Sequence, residues 1–241
     1  DTIIGFNETD TLTVSGGTYS TQASGSDVLV KVGKGSILLK DAKGKALNIN
    51  DTKTTDIITL SDGADNLSNN LDGVKIQALG GNDSIFNSGS NVSINGGDGN
   101  DTIYNDGGDS VSIDGGDGND SIRNEYWSGN VSMNGGAGDD TLYTQSDGNQ
   151  TLTGGDGADK FVFYYDNDDA YGTDIITDYN EEDTIEIQNV AITSITTVGT
   201  DVVFEMGNNT LIVEDAAGKD IAFIGAMVGD ERKYIYNTDD N

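Results

Sequence analysis

The chain has 241 residues and a formal net charge of −30, from 12 basic and 42 acidic side chains. Such a surface repels nucleic-acid phosphates and anionic membranes and attracts cations. Cysteine and histidine are both absent, which excludes disulfides, thiolate sites and imidazole ligands or bases; 34 glycines with no proline fit neither collagen nor a fixed-frame-free linker.

Taken in order, residues 1–50 read as short strands broken by glycines: Asp1–Val14, Asp27–Val32 and Ser36–Lys40. The same text returns near the other end. Asp174–Ile187 matches the opening at an offset of 173, and Asp201–Gly207 matches Asp27–Gly33 at an offset of 174. Lys40-Asp41-Ala42-Lys43-Gly44-Lys45 has its counterpart in Glu214-Asp215-Ala216-Ala217-Gly218-Lys219. Two copies of one small β module therefore flank a central array, and the chain divides into an N-terminal module (1–50), an array (51–171) and a C-terminal module (172–241). Residues 225–241 read as a last strand and a polar tail. Residue 1 falls inside a module, so the chain is expected to be a piece of a longer protein that alternates modules and arrays. No apolar run approaches the roughly 18 residues of a membrane span; no membrane insertion and no nucleic-acid partner is expected, and a piece of this kind is expected to be monomeric.

The array is built on the nonapeptide G-G-x-G-x-D-x-U-x, with U a large apolar residue. Full copies begin at Gly96, Gly115, Gly135 and Gly154, and weaker copies at Leu60 and Ala78. Their sixth-position aspartates are Asp65, Asp83, Asp101, Asp120, Asp140 and Asp159, spaced by 18, 18, 19, 20 and 19 residues. A period near 19 over successive copies predicts an all-β solenoid of about six coils, with one coil per period. The second half of each period ends in a short strand whose apolar residues are Ile76, Ile94, Ile113, Met133 and Leu152. At the place corresponding to the aspartates it carries Val74, Val92, Val111, Val131 and Gln150. The sequence thus predicts a column of carboxylates along one side of the roll and an apolar closure along the other.

Parallel strands stack about 4.8 Å apart, so neighbouring carboxylates of the column repel by roughly 3 kcal/mol at an effective dielectric near 20. Summed along the column, the repulsion is on the order of 10 kcal/mol, comparable to the stability of a domain. The array's basic residues, Lys53, Lys75, Arg123 and Lys160, are too few to neutralise it. A hard divalent cation between successive turns can, and calcium suits such flexible all-oxygen sites better than magnesium.

The nonapeptide resembles the RTX (repeat-in-toxin, haemolysin-type) calcium-binding β-roll, and the segments Asp1-Thr2-Ile3-Ile4-Gly5-Phe6 and Asp174-Ile175-Ile176-Thr177-Asp178-Tyr179 resemble the β-rich flank of such arrays. The resemblance implies a right-handed parallel roll with Ca²⁺ between adjacent turns. The carboxylates would be those of Asp65, Asp83, Asp101, Asp120, Asp140 and Asp159. Backbone oxygens would come from the turns Gly96, Gly97, Asp98 and Gly99; Gly115, Gly116, Asp117 and Gly118; Gly135, Gly136, Ala137 and Gly138; and Gly154, Gly155, Asp156 and Gly157. The side chains of Asp98, Asp117 and Asp156 are expected in solvent. A further site is expected at the C-terminal edge, at Asp174 and Asp178; Gly5 stands for Asp178 in the first module and argues against an equivalent there. Typical arrays of this family repeat every nine residues and bind calcium on both sides; here only alternate half-turns carry the pattern, so about four to six ions are expected, on one side only.

The resemblance also implies a secreted or cell-surface bacterial protein exported by type I secretion. The reading that follows is a non-catalytic, calcium-binding structural module that folds after export. Two alternatives stand beside it. One is an adhesion module that binds a glycan or protein through the ninth-position column Ser68, Phe86, Tyr104, Arg123, Tyr143, Val162, with Tyr126 and Trp127 nearby; the bland account of that strip is cross-strand stacking, with Arg123 between two tyrosines. The other is the accessory domain of a secreted enzyme. No catalytic constellation is visible in the sequence.

Overall fold

The structure is a computed structural model that describes residues 2–3, 11–14, 19–24, 26–32, 35–43, 48–51, 57–125, 128–145, 148–165, 172–227 and 230–237. Gly5, Tyr126 and Trp127 lie outside the described residues.

The described residues are all-β, and the array is a parallel β-solenoid. Each coil contributes one strand to each of two facing sheets. In the first sheet Ile57–Thr59, Lys75–Gln77, Ser93–Asp98, Ser112–Asp117, Ser132–Ala137 and Thr151–Asp156 stack in sequence order, followed by Gly172–Ile176. In the second, Asn66–Asn69, Ser84–Asn87, Thr102–Asp106, Ser121–Glu125, Thr141–Gln145 and Lys160–Tyr164 do the same, followed by Thr184–Ile192.

Register follows the hydrophobic pattern. Ile94 pairs Ile113, Ile113 pairs Met133 and Met133 pairs Leu152 in the first sheet. Ile85, Ile103, Ile122, Leu142 and Phe161 pair in turn in the second. These side chains are at most 1% exposed and form one core between the sheets. A strand's side chains alternate between faces, so a slip of one residue would turn this whole column outward.

The two flanking modules have one topology. In the first, Thr2–Ile3 lies parallel to Gly35–Leu39 and continues into an antiparallel meander with Asp27–Val32 and Tyr19–Ser24. In the second, Gly172–Ile176, Asn209–Val213, Asp201–Met206 and Ser194–Val198 repeat it. The register repeats as well: Thr2 faces Leu38 as Ile175 faces Ile212, and Leu12 faces Ile49 as Ile185 faces Phe223. The corner turns share their bonds, since Asp41 N donates to Asp27 Oδ1 at 2.9 Å and Asp215 N to Asp201 Oδ1 at 3.0 Å. The C-terminal stretch that read as a single strand and tail forms an antiparallel hairpin, Asp220–Met227 with Asp230–Asn237.

Candidate metal site along one turn of the roll

Each coil passes from the first sheet to the second through the glycine–aspartate turn. Gly116 shows why glycine is needed there. Its φ is +112°, and a Cβ would fall under 3.0 Å from the carbonyl oxygen of Gly97 in the coil below. Coils therefore stack at backbone contact through this turn, and the sixth-position aspartates come into one line.

The line is held by a repeated bond. The backbone N–H of Asp65 donates to Asp83 Oδ1 at 2.7 Å, that of Asp83 to Asp101 at 2.7 Å, and that of Asp101 to Asp120 at 2.7 Å. Asp120 N reaches Asp140 Oδ1 at 2.6 Å, Asp140 N reaches Asp159 at 2.9 Å, and Asp159 N reaches Asp183 at 2.9 Å. The column is thus one member longer than the sequence reading. Asp183 closes a turn without glycine, Asp178-Tyr179-Asn180-Glu181-Glu182-Asp183.

The other carboxylate oxygen decides the chemistry. In Asp83, Asp101, Asp120, Asp140 and Asp159, Oδ2 is buried and has no hydrogen-bond partner. These residues are 1–3% exposed. An ionised carboxylate is acceptor-only, so each such oxygen leaves a buried negative charge uncompensated. Burial is the largest cause pushing Asp83 and Asp140 up to about 7 and Asp120 to about 6. The neighbouring carboxylates push the same way and the backbone N–H bond resists. Burial raises Asp101 and Asp159 as well.

A cradle faces these oxygens. A Cβ on Gly96 would come under 3.0 Å from both Asp101 Oδ2 and the carbonyl oxygen of Gly115 in the next coil. Gly115 stands in the same relation to Asp120 and Gly135, and Gly135 to Asp140 and Gly154. At the next step Gly154 faces Asp159 Oδ2, but the ring of Phe161 is the other neighbour. At the Asp83 coil the first position is Ala78, whose methyl stands where the others have none. Carboxylate and carbonyl oxygens thus face the same glycine slot, and oxygens are the donors a hard cation takes. Among the described residues no three His, Cys, Asp or Glu side chains group around one point; any ion held here would draw on backbone carbonyls as much as on carboxylates.

The ends of the column differ from its middle. Asp65 Oδ2 accepts from Ser61 N at 2.7 Å and from Ser61 Oγ at 2.6 Å. Asp183 Oδ2 accepts from Asn180 N at 2.8 Å. Asp178 lies on this side of the roll and takes both N–H groups of the last glycine pair, Gly154 N to Oδ1 at 2.9 Å and Gly155 N to Oδ2 at 2.8 Å. The side chains of Asp98, Asp117 and Asp156 are exposed as expected, and a second row runs just outside the column, from Asn100 N to Asn82 Oδ1 and from Asn119 N to Asn100 Oδ1 at 3.0 and 2.9 Å.

Asp174 is a correction. The pairing of Thr151 with Ile175 sets it level with Gln150, on the opposite turn. There it accepts from Gln150 N and from the Tyr165 hydroxyl, each at 2.9 Å, and it takes no part in the aspartate column. The opposite turn is also more than apolar. Val74, Val92, Val111 and Val131 are buried as expected, but beside them runs a ladder of buried asparagines. Asn69 Nδ2 donates to Asn87 Oδ1 at 2.7 Å, Asn87 to Asn105 at 2.7 Å, and Asn105 to Asn124 at 2.8 Å.

On the outer face of the second sheet, Phe86 stacks on Tyr104 with centroids 5.4 Å apart, and Arg123 lies 4.1 Å over the Tyr143 ring. Glu125 accepts from the Tyr104 hydroxyl and pairs with Arg123. Val162, the last of the ninth-position column, is only 5% exposed. The strip's polar and aromatic groups are engaged with one another.

No family model matches the sequence, and no curated protein matches it. Among solved structures the chain is similar to the extracellular lipase LipA from Serratia marcescens, at 15% identity and a TM-score of 0.27, over 74% of this chain and 42% of that chain. The chain therefore spans less than half of the lipase's length.

Proposed function

We propose that this chain is a calcium-dependent structural module, whose array folds when Ca²⁺ is held along the aspartate turn. The observation that carries this reading is the row of five buried carboxylate oxygens without a partner, at Asp83, Asp101, Asp120, Asp140 and Asp159. The residues that would hold the ions are these aspartates and the first-position carbonyls of the glycine turns, such as those of Gly115, Gly135 and Gly154. A bound divalent cation supplies the positive charge that the buried column lacks. The resemblance of the nonapeptides to RTX arrays supports the same reading.

The chain's own part is to bring the ligands together only in the folded state. In the unfolded chain successive aspartates are 18 to 20 residues apart and hold no common ion. Binding energy is then folding energy. Extracellular calcium modules work at about 10⁻⁴–10⁻³ M, so the same chain would stay unfolded where calcium is scarce and fold where it is abundant. On this reading its work lies outside the cell, and its role is structural and non-catalytic.

The test is far-UV circular dichroism during a calcium titration of chelated protein, with magnesium in parallel. A cooperative gain of β signal with calcium alone is the expected result. A chelated chain already fully folded and indifferent to calcium would overturn the reading.

A further inference from the structure

We infer that the column carries its own stops: Ser61 at one end and Asn180 at the other do with a hydroxyl and an amide what a cation does between them, so that Asp65 and Asp183 contribute no ion site of their own. This rests on the calcium reading above and concerns where the ladder ends.

The two ends are built alike from unlike residues. Between a sixth-position carboxylate and a turn carbonyl, a cation would bridge two oxygens. Ser61 Oγ sits between such a pair, its one proton directed at Asp65 Oδ2 at 2.6 Å with the carbonyl oxygen of Gly63 3.0 Å away. Asn180 Nδ2 bridges another, donating to Asp183 Oδ1 at 3.0 Å and to the carbonyl oxygen of Gly157 at 3.3 Å. The backbone N–H groups of Ser61 and Asn180 complete each cap. In the repeat frame Ser61 stands at the second position, where the four full copies have Gly97, Gly116, Gly136 and Gly155, and Asn180 stands at the third. Both donors are neutral and both are part of the chain, so neither end depends on calcium supply. The contrast with the middle lies at Oδ2: it has no donor in the five interior aspartates, whereas Asp65 Oδ2 accepts from Ser61 N and Oγ and Asp183 Oδ2 from Asn180 N, with the Asn180 amide on Oδ1.

The stops also answer a physical need. A terminal carboxylate has a column neighbour on one side only. An ion bound there would have half a cage, exchange readily and leave the last coil to fray. A hydroxyl or amide seals the end permanently and fixes the number of ions.

The experiment is a calcium count on the full chain by native mass spectrometry and titration calorimetry, for wild type, Ser61→Gly, Asn180→Gly and the double variant. Each glycine removes the side-chain donor and leaves only the backbone N–H of that position on the carboxylate. The expected result is one calcium more than wild type for either single variant and two more for the double. A folded variant with the wild-type count overturns the inference. A variant that stays unfolded at saturating calcium also overturns it, because the ion was to take over the bridge. The serine end has a second check: Ser61→Thr keeps the hydroxyl and must keep the wild-type count. A wild-type chain that binds no calcium brings down the calcium reading and this inference together; wild-type binding with unchanged variants brings down this inference alone.

Discussion

The two turns of one coil solve the same problem with side chains that differ by one atom group. On one side, asparagines stack at intervals of 18, 18 and 19 residues, and on the other aspartates do so at nearly the same intervals. An amide both donates and accepts. Asn87 and Asn105 therefore each accept from the coil before and donate to the coil after, and the second N–H is spent on a local carbonyl: Asn87 on Gly89 at 2.8 Å and Asn105 on Gly108 at 3.0 Å. Gln150 ends this ladder by accepting from Val131 N at 2.9 Å and donating to Ser128 O at 3.0 Å. The asparagine side is complete without help. A carboxylate only accepts, so the aspartate column is incomplete by one donor per coil. On the calcium reading, one turn is a fixed seam and the other is conditional on a cation.

The sharpest way to break this comparison is to make the two turns the same. Replacing Asp83, Asp101, Asp120, Asp140 and Asp159 by Asn together keeps an oxygen for each backbone N–H and removes the charges. Neighbouring charges about 5 Å apart repel by roughly 3 kcal/mol per pair at an effective dielectric near 20, so relief over the column is on the order of 10 kcal/mol. The five-fold variant is expected to fold in chelator and to melt at one temperature with or without calcium. If it stays unfolded in chelator, charge is not what keeps the bare array apart.

The reverse change tests the other seam. Asn105 is fully buried, and Asn105→Asp removes both donors that serve Asn124 and Gly108. The buried charge is left unpaired, at a cost of about 3–5 kcal/mol. Chemical denaturation in saturating calcium is expected to show that loss in full, because the neighbours above and below on that side are amides and no second carboxylate stands beside the new one. Rescue by calcium would mean that the two turns are interchangeable as metal sites.

A smaller change separates the cradle from the backbone that makes it. Gly115 does not have a positive φ, so Gly115→Ala strains no dihedral, yet its methyl would meet Asp120 Oδ2 and the Gly135 carbonyl under 3.0 Å. Overpacking of this kind costs about 1–3 kcal/mol, and the variant is expected to bind fewer calcium ions. Gly129 in the opposite turn has only Asp109 Oδ1 near its Cβ position, at 3.6 Å. Gly129→Ala is expected to leave both the calcium count and the melting temperature near wild type. Equal losses at the two glycines would show a general packing effect instead.

These two seams were not equally legible. The aspartate column stands out in the sequence because Asp101, Asp120, Asp140 and Asp159 sit at the end of glycine turns, and glycine is what close stacking demands. Asp183 closes the same kind of turn, but with Asp178, Tyr179 and Glu181 where glycines stand elsewhere, and it falls 24 residues after Asp159. Its remaining signal is Asp183-Thr184-Ile185-Glu186, the end of the nonapeptide. The asparagine ladder carried a signal of its own, since Asn69, Asn87, Asn105 and Asn124 recur two residues after the buried Leu67, Ile85, Ile103 and Ile122. The valines of the opposite turn account for an apolar closure by themselves, which masks that signal. Asp174 was misplaced for a different reason. Its neighbours repeat the start of the first module, which says which residues correspond but not which turn they occupy. Only the pairing of Ile175 with Thr151 settles that.

Asp174 also supplies the smallest test, because it is a carboxylate placed on the amide side. Both oxygens are satisfied there, by Gln150 N and the Tyr165 hydroxyl, so it needs no cation. Burial nonetheless pushes it up to about 7, with the two hydrogen bonds resisting. A group whose folded value is raised loses nothing below its unfolded value, near 3.9, and costs stability as the pH climbs through the folded one. Wild-type stability in saturating calcium is therefore expected to fall between about pH 4 and pH 8 by an amount that Asp174→Asn removes. The asparagine can accept from Gln150 N and donate to the tyrosine oxygen, so at pH 8 the variant should be the more stable by about 1 kcal/mol. At pH 4.5 the two should melt together. A variant less stable at both values would mean that Asp174 works here as a carboxylate and that the two turns are not divided by charge.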